Sequence, residues 1–243
     1  MVLAGVHKKL GDFFLDIEKL VVSTPGIYGL IGPNGSGKTT LAKLMAGIME
    51  ADSGSIDAEG FSDKEITFIS RKPYMMDDTV YNNLVYPLRL RKKEADPKVV
   101  AAYIEKMGLS QKEKQKARSL SSGEQQKLAL LRALIFKPRL IIADEAMTAL
   151  DIDSLGLFEN MILAEQKKDP VIWIIISHQM PQIRRLVNHV FFMHNGKIET
   201  EGATEELFTA NANPHLKQYL RAYGDGVPKT PEHFEMVKTG GNL

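Results

Sequence analysis

The segment Gly32-Pro33-Asn34-Gly35-Ser36-Gly37-Lys38-Thr39 constrains this chain more than any other. It fits the pattern G-x-x-x-x-G-K-[ST]. Glycines let a backbone turn tightly and aim successive N–H groups at one anion, an approach that a Cβ would obstruct. The apolar run Gly26–Ile31 precedes the turn and reads as a short buried strand. Leu41, Leu44, Met45 and Ile48 follow at helical spacing, so residues 38–49 read as a helix. Strand, glycine turn and helix in that order place the positive end of a helix dipole at the turn. Lys38 then supplies a fixed cation to the β and γ phosphates of a triphosphate, and Thr39 a hydroxyl to Mg2+. A glycine turn that binds nothing is the competing reading, and both spacing and context argue against it.

Such a site needs an acidic element for the metal, and Leu140-Ile141-Ile142-Ala143-Asp144-Glu145 supplies one. An apolar strand carries Asp144 to its C-terminal end, the edge at which open α/β sheets bind ligands. Asp144 can hold Mg2+ through water, and Glu145 can polarise an attacking water as a general base. The bland alternative is an acidic pair that caps the next helix.

The remaining pattern alternates. Residues 66–70 read as a second strand, 122–136 as a helix stopped by Pro138, and 152–167 as a helix. Residues 171–176 follow as a strand, 181–187 as a helix and 190–193 as a strand. Asn195-Gly196 is a hairpin-type turn, and residues 215–223 read as a last helix. This predicts an α/β fold, a mainly parallel sheet with helices on both faces. Residues 74–118 differ, being Met- and Lys-rich with helical patterns over 79–90 and 97–107, and read as a helical insertion. The predicted organisation is one domain over residues 1–223 and a polar tail over 224–243, too short for a regulatory domain.

Composition narrows the function. Lys plus Arg number 31 against 30 Asp plus Glu, which does not suggest a nucleic-acid partner. The absence of cysteine excludes disulfides, thiolate metal sites and cysteine nucleophiles. The longest apolar stretches fall far below the roughly 20 residues needed to span a bilayer, and residues 1–20 lack a signal-peptide core. The expectation is a cytoplasmic chain that reaches a membrane only through a partner.

With these residues in hand, the chain from about residue 10 to residue 223 resembles the ATPase subunits of the ABC (ATP-binding cassette) family of P-loop NTPases. Leu120-Ser121-Ser122-Gly123-Glu124-Gln125-Gln126 looks like the family signature LSGGQ and the start of its helix. Alone, the segment would read as a serine cap before a helix. Ala149-Leu150-Asp151 resembles the D-loop, and His178 the switch histidine that contacts the γ-phosphate. The resemblance implies ATP and Mg2+ as ligands, with nucleotide contacts from Gly32 through Thr40 (Pro33, Asn34, Gly35, Ser36, Gly37, Lys38 and Thr39 among them). It implies Thr39 and Asp144 as metal residues and Glu145 and His178 as catalytic ones. It further implies a head-to-tail dimer in which Ser121, Ser122, Gly123, Glu124 and the D-loop Asp151 serve the partner's site. Membrane permease subunits, and for an importer a solute-binding protein, complete the implied assembly on the inner face of the membrane. Met75, Met76 and Tyr81 in the insertion are candidates for the permease groove.

Departures from the family pattern are specific. The family's glutamine after the second strand is replaced by Arg71, and the first glutamine of the chain is Gln111. A guanidinium cannot ligate a cation, so Arg71 is expected to turn to phosphate oxygens or to swing away to an acidic partner such as Asp77 or Asp78. Leu10 stands where the family stacks an aromatic ring on adenine, with Phe13 and Phe14 nearby. Ala146-Met147-Thr148 replaces the common Pro-Thr-Ser. The stretch from Lys72 through Arg89 looks like cassettes of oxyanion importers, tungstate ones included. A transport ATPase is therefore the leading reading, and a non-transport ABC ATPase, for example in cluster assembly, is the alternative.

Overall fold

Two-residue periodicity in the buried strands decides how this chain layers. The computed structural model describes residues 1–58, 60–210 and 212–223; the expected polar tail, 224–243, lies outside them. A six-stranded sheet is built from β3 (Gly26–Ile31), β5 (Ile66–Ile69), β6 (Leu140–Asp144), β7 (Ile172–Ile176), β8 (His189–His194) and β9 (Lys197–Ala203), in the order β5-β6-β7-β3-β8-β9. All neighbours pair in parallel except β8 and β9, which form the hairpin turning at Asn195-Gly196. Being buried on both faces, β6 and β7 are apolar at nearly every position.

Alternate side chains of these strands enter two cores. Ile141, Ala143, Trp173 and Ile175 face the core shared with α4 (Ser122–Leu134), α5 (Ile152–Lys168) and α6 (Met180–Leu186). Leu140, Ile142, Ile174 and Ile176 face the other, shared with α1 (Lys38–Met45). That second core is closed by an antiparallel sheet of β1 (Val2–Leu10), β2 (Phe13–Val21) and β4 (Ser53–Asp57), in the order β2-β1-β4. The sequence reading had no strands here. In β2 the charged Asp16, Glu18 and Lys19 interleave with buried Leu15, Ile17 and Leu20, so the run is half-buried and masked by its polar face.

Between β5 and α4 lie α2 (Val80–Leu90) and α3 (Pro97–Lys106). Thr79 caps α2 by accepting from the Asn82 N–H at 3.1 Å, and Asp96 caps α3, where Pro97 occupies the first turn without losing a bond. Helices α7 (Thr204–Ala210) and α8 (Pro214–Tyr223) end the described chain. Leu216 and Tyr219 of α8 are buried in the core beside Phe192. Among the described residues no helix is long and apolar enough to cross a membrane.

Candidate functional site

The glycine turn sits between β3 and α1, at the carboxyl edge of the sheet. Gly32 and Gly37 take positive φ values of 146° and 102°. A Cβ on Gly32 would meet the Met193 carbonyl oxygen at 2.1 Å, and one on Gly37 would meet the Phe13 ring at 2.7 Å. Only glycine fits either place, so the turn is held against β8 and β2.

Lys38 is buried, and its ammonium donates to the carbonyls of Gly32 and Pro33, each at 2.8 Å. Burial lowers its pKa to about 8, although the charges of Glu145 and Asp144 oppose the change. The Thr39 hydroxyl donates to Asp144 Oδ2 at 2.9 Å. Burial raises the Asp144 carboxyl above its usual range despite that hydrogen bond.

Glu145 follows in a left-handed conformation, φ 49°, unusual for a residue with a side chain. Its N–H donates to Ile176 at 3.0 Å, and its carbonyl accepts from the Thr148 N–H at 3.2 Å and the Thr148 hydroxyl at 2.9 Å. The backbone is thus over-determined, and the carboxylate is turned off the strand line into the cleft. There both oxygens are engaged: Oε1 lies 3.0 Å from His178 Nε2 and Oε2 lies 3.2 Å from Arg71 Nη1.

His178 is held below its ordinary pKa, first by burial and then by the charge of Lys38. Its Nδ1 lies 3.4 Å from the hydroxyl of Tyr219, which also takes a hydrogen bond from the Gly32 backbone. Burial pushes the Tyr219 phenol up to about 12, so it stays protonated. One proton arrangement satisfies the chain: Gly32 N–H to Tyr219, Tyr219 O–H to His178 Nδ1, and His178 Nε2–H to Glu145.

Leu10, Phe13, Asn34, Lys38, Glu145 and His178 line one cleft of about 380 Å³. The sequence-derived P-loop, acidic pair and histidine therefore converge. Leu10 and Phe13 stand at its mouth, whereas Phe14 stacks on His7 at 5.6 Å and is not in the lining. Ser121, Ser122, Gly123, Glu124 and Asp151 do not line this cleft. Ser121 caps α4: its N–H donates to Glu124 at 3.0 Å while its hydroxyl accepts from the Glu124 N–H at 3.3 Å. Glu124 also pairs with Lys112, and Asp151 caps α5 through the Ser154 N–H at 2.8 Å.

Two expectations are corrected. Arg71 meets neither acid proposed for it: Asp77 pairs with Lys116 at 3.2 Å and Asp78 accepts from Asn82 at 2.8 Å, while Arg71 reaches Glu145. Its loop is gripped by Gln126 of α4, whose amide donates to the carbonyls of Ser70 and Arg71. Met75 is buried in the core and offers nothing to a partner. The open groove, about 510 Å³, runs between β5, α2 and α4 and is lined by Phe68, Tyr74, Met76, Tyr86, Arg132 and Phe136, without Tyr81. Tyr219 was missed because only its helix, not the 41-residue span back to His178, was visible in sequence.

The ABC transporter family model matches residues 17–148. The chain is 34% identical over 199 residues to the tungstate uptake system ATP-binding protein TupC of Peptoclostridium acidaminophilum, covering 79% of this chain and 93% of that protein. It is 30% identical over 224 residues to the molybdate/tungstate import ATP-binding protein WtpC of Archaeoglobus fulgidus, covering 89% and 92%. Its fold is shared with a dimeric ATP-binding cassette in a post-hydrolysis state bound to ADP and Pi, at a TM-score of 0.73 and 22% identity, covering 84% and 99%.

Proposed function

The chain belongs to the ABC transporter family as an ATP-binding subunit, and on that premise we propose that it hydrolyses ATP to drive uptake of a tungstate- or molybdate-like oxyanion through separate membrane subunits. The convergence of Lys38, Thr39, Asp144, Glu145 and His178 on one cleft carries the ATPase assignment. Relatives that serve tungstate and molybdate import support the substrate class. They also favour transport over the cluster-assembly alternative.

The chemistry follows from the charges. Lys38 now spends its protons on two neutral carbonyls, and a phosphate oxygen is the stronger acceptor, so nucleotide entry draws the ammonium into the cleft. Thr39 and Asp144 face each other with a hydroxyl and a carboxylate, an oxygen donor set that fits Mg2+. When bound there, Mg2+ supplies charge neutralisation on the β and γ oxygens. Glu145 accepts the proton of the attacking water, and His178, kept neutral, orients that carboxylate through its Nε2–H.

A second copy placed head to tail would present the α4 N-terminus at Ser121 to the γ-phosphate. The groove beside Tyr74, Met76 and Tyr86 would receive a helix of the permease, which holds the chain at the inner face of the membrane. A solute-binding protein on the opposite face delivers the oxyanion.

Reconstitution tests this reading. The chain, co-expressed with the membrane subunits of a tungstate importer, is placed in vesicles with the binding protein of that system. ATP-dependent uptake of tungstate or molybdate, unaffected by excess sulfate, is the expected result. Uptake driven only by an unrelated solute such as methionine would overturn the substrate class.

A further inference from the structure

Where the β8–β9 hairpin meets the start of α8, three donor groups come together. His194 ends β8, Glu199 follows in β9 across the Asn195-Gly196 turn, and His215 stands in the first turn of α8. His194 Nδ1 lies 2.8 Å from Glu199 Oε1. His215 Nδ1 lies 3.0 Å from Oε1 and 2.9 Å from Oε2. All three ligand atoms fall within 4.8 Å of one another. Asn213 donates to Glu199 Oε2 at 3.1 Å.

We propose that His194, Glu199 and His215 form a site for a first-row divalent transition metal, Zn2+ above all, separate from the Mg2+ position at Thr39 and Asp144. Two imidazoles and one carboxylate select zinc-like ions over Mg2+ and Ca2+, which prefer oxygen cages. Tetrahedral bonds of about 2.0–2.1 Å put ligand atoms roughly 3.3 Å apart. The nitrogen–oxygen separations here need to open by only a few tenths of an ångström, and the half-exposed His215 is free to adjust. Three protein ligands leave a fourth position to water on the solvent side. Asn213 already orients the carboxylate, the part an outer-shell partner plays around bound metal.

The site also has a mechanical consequence. It ties α8 to the β8–β9 hairpin at His215, and one helical turn later α8 delivers Tyr219 to His178. Metal binding therefore fixes the helix that supports the switch histidine.

The test uses the full chain stripped by a chelator, without nucleotide or Mg2+, titrated calorimetrically with ZnCl2 and spectroscopically with CoCl2. One equivalent of zinc binding at micromolar affinity is expected, with a visible Co2+ spectrum of tetrahedral intensity. His194→Ala and His215→Ala should each weaken zinc binding at least about 100-fold, and Asn213→Ala about tenfold. Zinc should raise the melting temperature of the unaltered chain and not that of His215→Ala. Equal affinity in the His194→Ala/His215→Ala double variant would overturn the site and place zinc elsewhere, for instance at His178 and Glu145. Weak, water-like Co2+ absorption by the unaltered chain would overturn it whatever the variants do.

Discussion

The Arg71 guanidinium lies 3.2 Å from the Glu145 carboxylate, on the opposite oxygen from His178. A residue that departs from the family pattern thus touches the proposed general base directly. With His178 on Oε1 and Arg71 on Oε2, the guanidinium occupies the oxygen that would otherwise be open to an attacking water. Arg71 is largely exposed, at 64%, so the effect is that of a surface pair, about 0–1 kcal/mol. Its loop hangs from Gln126 on the signature helix, so movement of α4 would withdraw it.

Arg71→Gln should therefore raise ATP turnover at saturating Mg2+ by up to about fivefold, the rate equivalent of 1 kcal/mol. Steady-state phosphate release from both proteins decides this. An equal or lower rate would mean that the pair does not restrain Glu145.

Glu145→Gln keeps the shape of the side chain and removes the base. Hydrolysis should fall by about 10²–10⁴-fold while ATP still binds. With ATP and Mg2+ the variant should elute as a dimer in size-exclusion chromatography. A variant that hydrolyses normally would remove Glu145 from its role.

Lys38 gives a pH dependence of known sign. In the free site it loses its proton near pH 8, and phosphate favours the protonated form. Affinity for ATP is thus full below about pH 8 and falls as pH rises above it, with proton uptake on binding. At about pH 9.5 the dissociation constant should be up to about 30-fold larger than at pH 7. Calorimetry in two buffers of different ionisation heat measures both quantities. Lys38→Ala should abolish useful binding and the pH dependence together.

Tyr219→Phe removes the hydroxyl that meets His178 Nδ1 and leaves the ring packed against Phe192. The value of kcat should drop by about two- to tenfold, the worth of one net hydrogen bond, with KM for ATP unchanged. Because Tyr219 fixes which nitrogen of His178 carries the proton, the pH–rate profile should shift as well. A loss confined to thermal stability would make Tyr219 a packing residue only.

The sequence alone determined the parts of this protein whose physics is local. A glycine turn between an apolar strand and a helix can be read in one dimension, because each glycine answers a backbone demand at its own position. The continuous apolar runs of β6 and β7 likewise announced buried strands, and with the helices between them a mainly parallel sheet. The half-buried β1 and β2 escaped because their polar faces break the apolar run, and β4 because it is short, polar and almost wholly exposed. Tertiary structure alone decided which distant groups meet. Arg71 turned to Glu145 instead of Asp77 or Asp78 because Gln126 holds its loop over the cleft. Tyr219 and His215 gained partners only because α8 packs back on β8 and β9, which juxtaposes side chains whose sequence neighbours carry no sign of the contact.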